Sequence, residues 1–131
     1  MYIPPGFNTI TPYFFVKDAS KFVAFLISAF GGTEVLRTLR PEGLIANAQV
    51  RIGTSTIMVS EAGGSYPPMP AACYLYVDDA DKAMAKVLAV GGTLEMEVAD
   101  MPYGDRQGGV KDPHGNIWWI SQRLVHAPYS A

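Results

Sequence analysis

The sequence predicts an α+β fold made of two βαβββ modules, and three observations support this prediction. Residues 16–21 (VKDASK) recur as residues 77–82 (VDDADK), 61 positions later. A double glycine follows a helical pattern in both copies, at 31–32 and 91–92. The closing strands also match, since residues 57–60 (IMVS) align with residues 118–121 (WWIS). A repeat of this length is one supersecondary unit used twice, and it therefore decides the fold class.

Each copy begins with a strand and continues with a helix. Residues 9–16 and 71–77 are rich in aromatic and β-branched side chains, as strands are. At the helix starts, Asp18 and Asp79 can accept unpaired backbone N–H groups, and at the helix ends Gly31 and Gly91 tolerate positive φ. The first helix is more apolar than a single buried stripe requires, so we expect part of it to meet another element or subunit.

Three further strands complete each copy. They are predicted at about 33–40, 44–52 and 56–61, and again at about 93–100, 106–112 and 117–123. The last hairpin turns through Asp112-Pro113-His114-Gly115, a residue order typical of a type I turn. Module one therefore covers about 8–61 and module two about 71–124, joined by a Gly- and Pro-rich linker at 62–70 in a single domain of 1–131. Because about 60 residues give a marginal core, we expect the modules to pair around a concave mixed β-sheet cleft.

Composition excludes several classes of protein. The chain of 131 residues is 49% hydrophobic and 17% charged, which is unlike a disordered tail or a coiled coil. Its net charge of −2 gives no cationic surface for nucleic acid. One cysteine builds no disulfide framework, and neither a signal peptide nor a membrane-spanning run is recognisable. We expect a soluble, cytoplasmic protein with no nucleic acid or membrane partner.

The two βαβββ modules, the VKDA and VDDA helix starts and residues 112–120 (DPHGNIWWI) resemble the vicinal oxygen chelate superfamily, which includes glyoxalase I, bleomycin-resistance proteins and extradiol dioxygenases. Residues 103–106 (YGDR) with 109–113 (GVKDP) are similar to its PhnB-like branch. The resemblance covers about 8–124 and implies a glyoxalase/bleomycin-resistance-like fold. It also implies a homodimer, which is common in this superfamily. It leaves the activity open, because the superfamily places unrelated activities on one scaffold.

The metal ligands of the metal-using relatives are a His near the start of the first strand and a Glu on the last strand of each module. The resemblance places these positions at Thr11, Met58, Ala72 and Trp119, and the repeat agrees, since 11 and 72, like 58 and 119, are 61 apart. A hydroxyl, a thioether, a methyl and an indole do not replace carboxylate or imidazole ligands. We therefore expect no metal and no cofactor.

Strand alternation predicts what lines the cleft instead. With Thr11 facing the cleft, Ile10, Phe14 and Val16 pack beneath a helix. The predicted ligand-binding residues are Thr11, Tyr13, Phe15, Met58, Ala72, Tyr74, Tyr76 and Trp119. Rings with hydroxyl edges suit a planar or largely apolar ligand. The alternative is that this aromatic stripe is part of the core.

Other polar residues have plainer interpretations. We expect His114 and His126 to be solvated in a turn and a tail, Cys73 to be a small buried hydrophobe, and Trp118 to be core. Glu61 is a polar anchor or a base, with an exposed charge at a strand end as the plainer interpretation. Either an anion site or surface ion pairing explains Arg51, Asp105 and Arg106.

The leading hypothesis is a metal-free, non-catalytic protein that binds a small organic ligand, as bleomycin-resistance proteins sequester a compound. The ligand is expected to be aromatic or amphiphilic, and an antibiotic is one candidate. The alternative is a lyase, isomerase or dioxygenase of the same superfamily, either metal-dependent or using Tyr, Glu61 or His114. A third hypothesis, a structural or regulatory module, predicts a collapsed cleft.

Overall fold

A computed structural model describes residues 1–130 and contains the two predicted βαβββ modules. Module 1 lies in a compact unit that ends at Pro70, and module 2 lies in a second unit that begins at Ala71. The elements of module 1 are β1 (Tyr13–Val16), α1 (Ala19–Phe30), β2 (Thr33–Leu39), β3 (Ile45–Ile52) and β4 (Ser55–Glu61). Those of module 2 are β5 (Ala72–Tyr76), α2 (Ala80–Ala89), β6 (Thr93–Asp100), β7 (Asp105–Lys111) and β8 (Ile117–Arg123).

Each module contains a four-stranded mixed sheet of the same topology. The strand orders are β1-β4-β3-β2 and β5-β8-β7-β6, and only the first pair of each sheet is parallel. Tyr13 lies opposite Met58, and Tyr74 lies opposite Trp119. Both members of the second pair are 61 residues after those of the first, so the sequence repeat extends to the strand register.

One helix covers one face of each sheet and forms the core with it. In module 1 the rings of Phe14 and Phe22 pack 5.3 Å apart, and in module 2 the buried apolar residues include Met84, Val87 and Ile120. Each such side chain contributes roughly 1.5–3 kcal/mol when it is fully buried. Phe25 of α1 is buried within a single chain, whereas Ile27 of the same helix is 41% exposed.

The first strand is shorter than its sequence predicts. β1 begins at Tyr13 instead of Thr9, and Ile10 is 82% exposed, so the prediction that Ile10 packs beneath a helix is wrong. The reason lies at Pro12, which has no N–H to donate, although its carbonyl still accepts the Met58 N–H at 3.0 Å. Cys73 in β5 is half-buried instead of fully buried. Its burial and, to a smaller extent, the negative charge of Asp112 raise the pKa of its thiol.

The start of α1 is capped from another strand. Asp18 adopts a left-handed conformation with φ 63° and makes no side-chain cap, in contrast to our expectation. The Glu61 carboxylate accepts the backbone N–H groups of Asp18 at 2.8 Å and Ala19 at 2.9 Å. Glu61 is only 9% exposed, so the expected exposed strand-end charge is a helix cap instead.

The other predicted helix signals agree with the structure. The Asp79 carboxylate accepts the Lys82 N–H at 3.0 Å at the start of α2. Gly31 ends α1 with φ 66°, a conformation that favours glycine. Val90 ends α2, and Gly91 follows it with φ 112°.

The predicted turn between β7 and β8 is built around a buried carboxylate. The Gly115 N–H donates to the Asp112 carbonyl at 3.1 Å, which closes the turn. The Asp112 carboxylate accepts the His114 N–H at 2.8 Å and the Trp118 indole N–H at 2.8 Å. Trp118 is therefore core, as predicted, whereas His114 is half-buried and less solvated than expected.

Candidate ligand-binding faces

The face of each sheet that lies opposite its helix carries most of the predicted site residues. Because side chains alternate along a strand, Phe14 and Val16 point to the helix while Tyr13 and Phe15 point away from it. We call this second surface the open face of the module. The open face of module 1 contains Tyr13, Phe15, Asn47, Gln49, Thr56 and Met58, and that of module 2 contains Tyr74, Tyr76, Asp105, Gln107, Gly109 and Trp119.

An aromatic stack crosses the open face of module 1. The rings of Tyr13 and Phe15 are 4.8 Å apart and nearly parallel, and Tyr66 stacks on Phe15 at 5.5 Å. The Met69 N–H donates to the Phe15 carbonyl at 3.0 Å, which holds the linker against β1. The linker thus adds an aromatic ring to this face, where the sequence suggested a connection only.

A cavity of about 440 Å³ adjoins the open face of module 1. Thr11, Gln49 and Met58 line it together with residues from the start of the chain. The Asn47 amide donates to the Tyr13 hydroxyl at 3.2 Å, which supplies a polar edge to the aromatic stack. The volume lies within the roughly 300–1,000 Å³ that small-molecule sites occupy.

Arg51 holds the start of the chain instead of binding an anion or pairing on the surface. Its guanidinium donates to the Gly6 carbonyl at 3.2 Å. The Thr56 hydroxyl donates to the same carbonyl at 2.6 Å. These two bonds place the segment around Gly6 beside β3 and β4.

Four tyrosines line a second cavity, of about 360 Å³, on the open face of module 2. They are Tyr74, Tyr76, Tyr103 and Tyr129. Trp119 lies next to Tyr74 across the β5–β8 pairing, and Ala72 lies at the start of β5 opposite Ile117. Tyr74 and Tyr76 are 42% and 57% exposed, so their rings are available to a ligand.

A glycine allows the Trp119 ring to lie against the sheet. Gly109 pairs with Trp119 across β7 and β8. A Cβ at Gly109 would stand 2.5 Å and 2.8 Å from two carbons of the indole. Only the absence of this atom permits the observed ring position.

A fully buried carboxylate lies beneath the tyrosines. Asp105 is 0% exposed, so neither alternative given for this residue, an anion site or surface ion pairing, describes it. Its carboxylate accepts hydrogen bonds from the hydroxyls of Tyr74 at 2.5 Å and Tyr129 at 2.7 Å, and from the Arg123 guanidinium at 3.0 Å. Arg106, in contrast, pairs at the surface with Asp81 and Asp100, which agrees with the second of its two alternatives.

These contacts determine the charge state of the cavity. Burial by itself raises the pKa of Asp105, but the hydrogen bonds from Tyr129, Tyr74 and Arg123 outweigh it and hold the pKa below its ordinary value. Burial, and then the hydrogen bond to Asp105, raise the pKa of Tyr74 to about 12. At neutral pH the cavity therefore contains an ionised Asp105 carboxylate and a protonated Tyr74 hydroxyl.

Sequence reasoning did not find several residues of this network. The Gln107 side-chain carbonyl accepts a hydrogen bond from the Tyr103 hydroxyl and lies 3.3 Å from the Tyr74 hydroxyl, whose proton is directed to Asp105. The Arg123 guanidinium donates to the Tyr103 carbonyl at 2.6 Å and lies 4.2 Å from the centre of the Tyr129 ring. Residues 103–106 were recognisable only as a family motif, which did not indicate a role for Tyr103. Tyr129 lies after the last strand, where no periodic pattern predicts the direction of a side chain.

The residues present do not fit the metal site of the metal-using relatives. Thr11, Met58, Ala72 and Trp119 offer neither carboxylate nor imidazole ligands. Within residues 1–130, no group of three or more His, Cys, Asp or Glu side chains is arranged to hold a metal ion. Glu61, the nearest carboxylate along β4, is engaged at the start of α1.

Two βαβββ modules, each with a mixed sheet covered by one helix, define the α+β fold of glyoxalase-type proteins. The model of the Glyoxalase/Bleomycin resistance protein/Dioxygenase superfamily matches residues 6–120, and the chain belongs to this superfamily. In the part of the chain that the structure describes, no helix has the length and hydropathy needed to cross a bilayer.

Similar proteins support the same fold. An uncharacterized protein of Mycobacterium bovis, Mb0911c, is 31% identical over 124 residues, which cover 86% of this chain and 82% of the relative. The crystal structure of TioX from Micromonospora sp. ML1 has a TM-score of 0.77 at 24% identity and covers 89% of this chain and 99% of its own. TnmS3, an antibiotic binding protein from Streptomyces sp. CB03234, has a TM-score of 0.68 at 21% identity, with coverages of 88% and 97%.

Proposed function

We propose that this protein binds a small aromatic or amphiphilic compound on its open aromatic faces and that it does so without a metal. The observation that carries the proposal is the cavity of four tyrosines on module 2, with Trp119 beside Tyr74 and the buried carboxylate of Asp105 beneath. We propose Thr11, Tyr13, Phe15, Met58, Ala72, Tyr74, Tyr76 and Trp119 as ligand-binding residues. Tyr66 and Tyr103 join them from outside the strands.

The chemistry of these faces favours a planar ligand. Each favourable ring pair contributes roughly 0.5–1.5 kcal/mol beyond the apolar area that it buries. The hydroxyls of the tyrosines orient polar groups at the edge of such a ligand. The fold shared with an antibiotic binding protein supports including antibiotics among the candidates. The residues at 103–113 support a place in the PhnB-like branch.

The same residues favour binding over catalysis. The side chains at the four metal positions offer neither carboxylate nor imidazole ligands, which a catalytic divalent metal ion would need. Glu61 is the candidate carboxylate base on β4, but both of its oxygens accept backbone N–H groups at the start of α1. Its carboxylate therefore stabilises the start of the helix and is not available on the open face.

We further propose that the protein is a homodimer, as members of the superfamily commonly are.

Tryptophan fluorescence tests the proposal. Aromatic and amphiphilic compounds, including glycopeptide antibiotics, are titrated into the protein and into the variants Trp119→Phe and Trp118→Phe. A ligand on the open face of module 2 changes the emission of Trp119, so we expect the response to survive in Trp118→Phe and to disappear in Trp119→Phe. A protein that responds to none of these compounds would contradict the proposed function.

A further inference from the structure

The chain after β8 folds back onto the open face of module 2. The Arg123 guanidinium donates to the carbonyls of Ala127 at 2.7 Å and Pro128 at 3.2 Å. These bonds fix the backbone just before Tyr129. The Tyr129 hydroxyl then donates to the Asp105 carboxylate at 2.7 Å and lies 2.6 Å from the Tyr76 hydroxyl. We call residues 124–130 the tail segment.

Tyr129 forms one wall of the cavity, and its contacts there are those that a bound aromatic molecule would make. Its ring lies 6.5 Å from the ring of Tyr103, and the Arg123 guanidinium lies 4.2 Å from its centre. Its hydroxyl supplies one of the three hydrogen bonds that satisfy Asp105, beside those from Tyr74 and Arg123. A ring on an aromatic wall and a hydroxyl on a buried carboxylate are the contacts that this cavity offers to any occupant.

The tail segment is suited to being displaced. Tyr129 is 50% exposed, whereas Asp105 is fully buried and belongs to a strand. Removing the Tyr129 hydroxyl would leave a buried charge short of one donor, and such a group is costly to leave unpaired. An incoming molecule that supplies an equivalent donor restores the pairing, and one that lacks it does not.

We propose that the module 2 cavity takes aromatic compounds that carry a hydroxyl donor and that Tyr129 fills this position in the free protein. The inference rests on the proposed function, since it needs a small molecule on the open face of module 2. Tyr129 is then an internal competitor. The apparent association constant of a ligand then equals its intrinsic value multiplied by the fraction of molecules in which Tyr129 has left its position. Asp105 supplies the selectivity, because a methylated hydroxyl leaves its carboxylate short of a donor.

A matched pair of fluorescent probes tests this selectivity. Binding of 2-naphthol and of 2-methoxynaphthalene is measured by probe fluorescence with the full chain and with Tyr129→Ala, Tyr129→Phe and Asp105→Asn. We expect Tyr129→Ala to bind 2-naphthol about tenfold more tightly than the unmodified protein, and about tenfold more tightly than it binds 2-methoxynaphthalene, since a hydrogen bond to a charged group is worth about this factor. Tyr129→Phe keeps the competing ring but loses its hydroxyl, so its affinity for 2-naphthol should be intermediate.

The remaining outcomes separate the inference from the proposed function. Asp105→Asn should lose the preference for 2-naphthol, and circular dichroism checks its fold. If Asp105→Asn is unfolded, the Tyr129 variants are sufficient for the test, because Tyr129 is half exposed and its replacement should leave the fold intact. Equal affinities of Tyr129→Ala and the unmodified protein, or equal binding of both probes by Tyr129→Ala, overturn the inference and leave the proposed function standing. Failure of every variant to bind either probe also overturns the inference, and it contradicts the proposed function only if the wider set of compounds fails as well.

Discussion

The Trp119 indole lies against the sheet at Gly109, where there is no Cβ between the ring and the backbone. A methyl group there would be 2.5 Å from the indole, a distance that side-chain atoms do not adopt without movement. Gly108, its neighbour, faces the helix side, where a Cβ would meet the end of the flexible Met84 side chain at 2.9 Å. The two glycines therefore serve the two faces of one strand.

Gly109→Ala should displace Trp119 from the open face. Overpacking of this kind costs about 1–3 kcal/mol of unfolding free energy. Denaturant unfolding measures the loss, and a shift in tryptophan emission reports the ring movement. Gly108→Ala is the matched control, because it crowds Met84 without touching Trp119. If Gly109→Ala has the same emission and ligand response as the unmodified protein, the role assigned to this glycine is wrong.

Asp105 should make stability depend on pH in the acid range. Its carboxyl binds a proton more weakly in the folded protein than in the unfolded chain, because Tyr129, Tyr74 and Arg123 donate to the ionised form. The stabilisation is thus complete above the ordinary pKa of 3.8 and is lost as the pH falls through the lower folded value. Unfolding free energies measured across this range should fall less steeply in Asp105→Asn than in the unmodified protein.

Asp81→Asn provides the control for this pH dependence. The hydrogen bond from Arg106 also lowers the pKa of Asp81, but its carboxylate is exposed to solvent. Solvent screening makes the contribution of such a pair small. A pH profile that changes as much in Asp81→Asn as in Asp105→Asn would contradict the importance given to the buried carboxylate.

Both helices begin against a side chain at the end of their module's last strand. Glu61 accepts the Ala19 N–H, and Gln122, 61 residues later, accepts the Ala80 N–H at 3.1 Å. The repeat thus preserves the position of the capping side chain, but the cap is a charged carboxylate in module 1 and a neutral amide in module 2. Favourable interaction with the positive helix start explains why a carboxylate suits this position in module 1, where Asp18 makes no side-chain cap.

Glu61→Ala should destabilise module 1 through the start of α1. The change removes the acceptor for two backbone N–H groups, one of them buried. Leaving a buried donor without a partner costs about 1–3 kcal/mol. Urea unfolding of Glu61→Ala and Glu61→Gln should show the larger loss in the alanine variant, because the amide retains one acceptor oxygen. Equal stability of Glu61→Ala and the unmodified protein would show that the cap is dispensable.

The elements were predictable wherever the signal was local. Gly31 indicated the end of α1, Asp79 indicated the start of α2, and the residue order at 112–115 indicated the turn before β8. The start of β1 was not predictable in this way, because Pro12 interrupts hydrogen bonding inside an otherwise strand-like run. The cap by Glu61 depends on a contact 42 residues distant in sequence. Strand alternation could have indicated it, since Glu61 shares the helix-facing side of β4 with Val59.

For the whole chain, the repeat determined the fold and only part of the candidate site. Alternation from Thr11 and Ala72 predicted Tyr13, Phe15, Tyr74 and Tyr76 because all four lie on regular strands. Tyr66, Tyr103 and Tyr129 come from the linker, a loop and the tail segment, where no period constrains the side chain. The buried Asp105 escaped prediction for a related reason, since its partners Arg123 and Tyr129 belong to distant parts of the sequence.

The proposed homodimer should depend on the exposed strand β2. Three large apolar side chains on this strand, Val35, Leu36 and Leu39, are 53%, 48% and 53% exposed, and such a cluster is typical of an interaction surface. Light scattering at micromolar concentration should give twice the chain mass of 14.2 kDa. The double variant Leu36→Arg and Leu39→Arg should give the mass of one chain, because burying two unpaired guanidinium groups at an interface is costly.

Leu94→Arg on β6 is the matched control for this interface. Leu94 is also exposed, at 46%, but Glu95 and Glu97 accompany it, so this part of β6 lacks a comparable apolar cluster. We therefore expect Leu94→Arg to remain a dimer. A single-chain mass for the unmodified protein would contradict the dimer itself. A dimer that survives both arginines on β2 would show instead that the subunits meet at another surface.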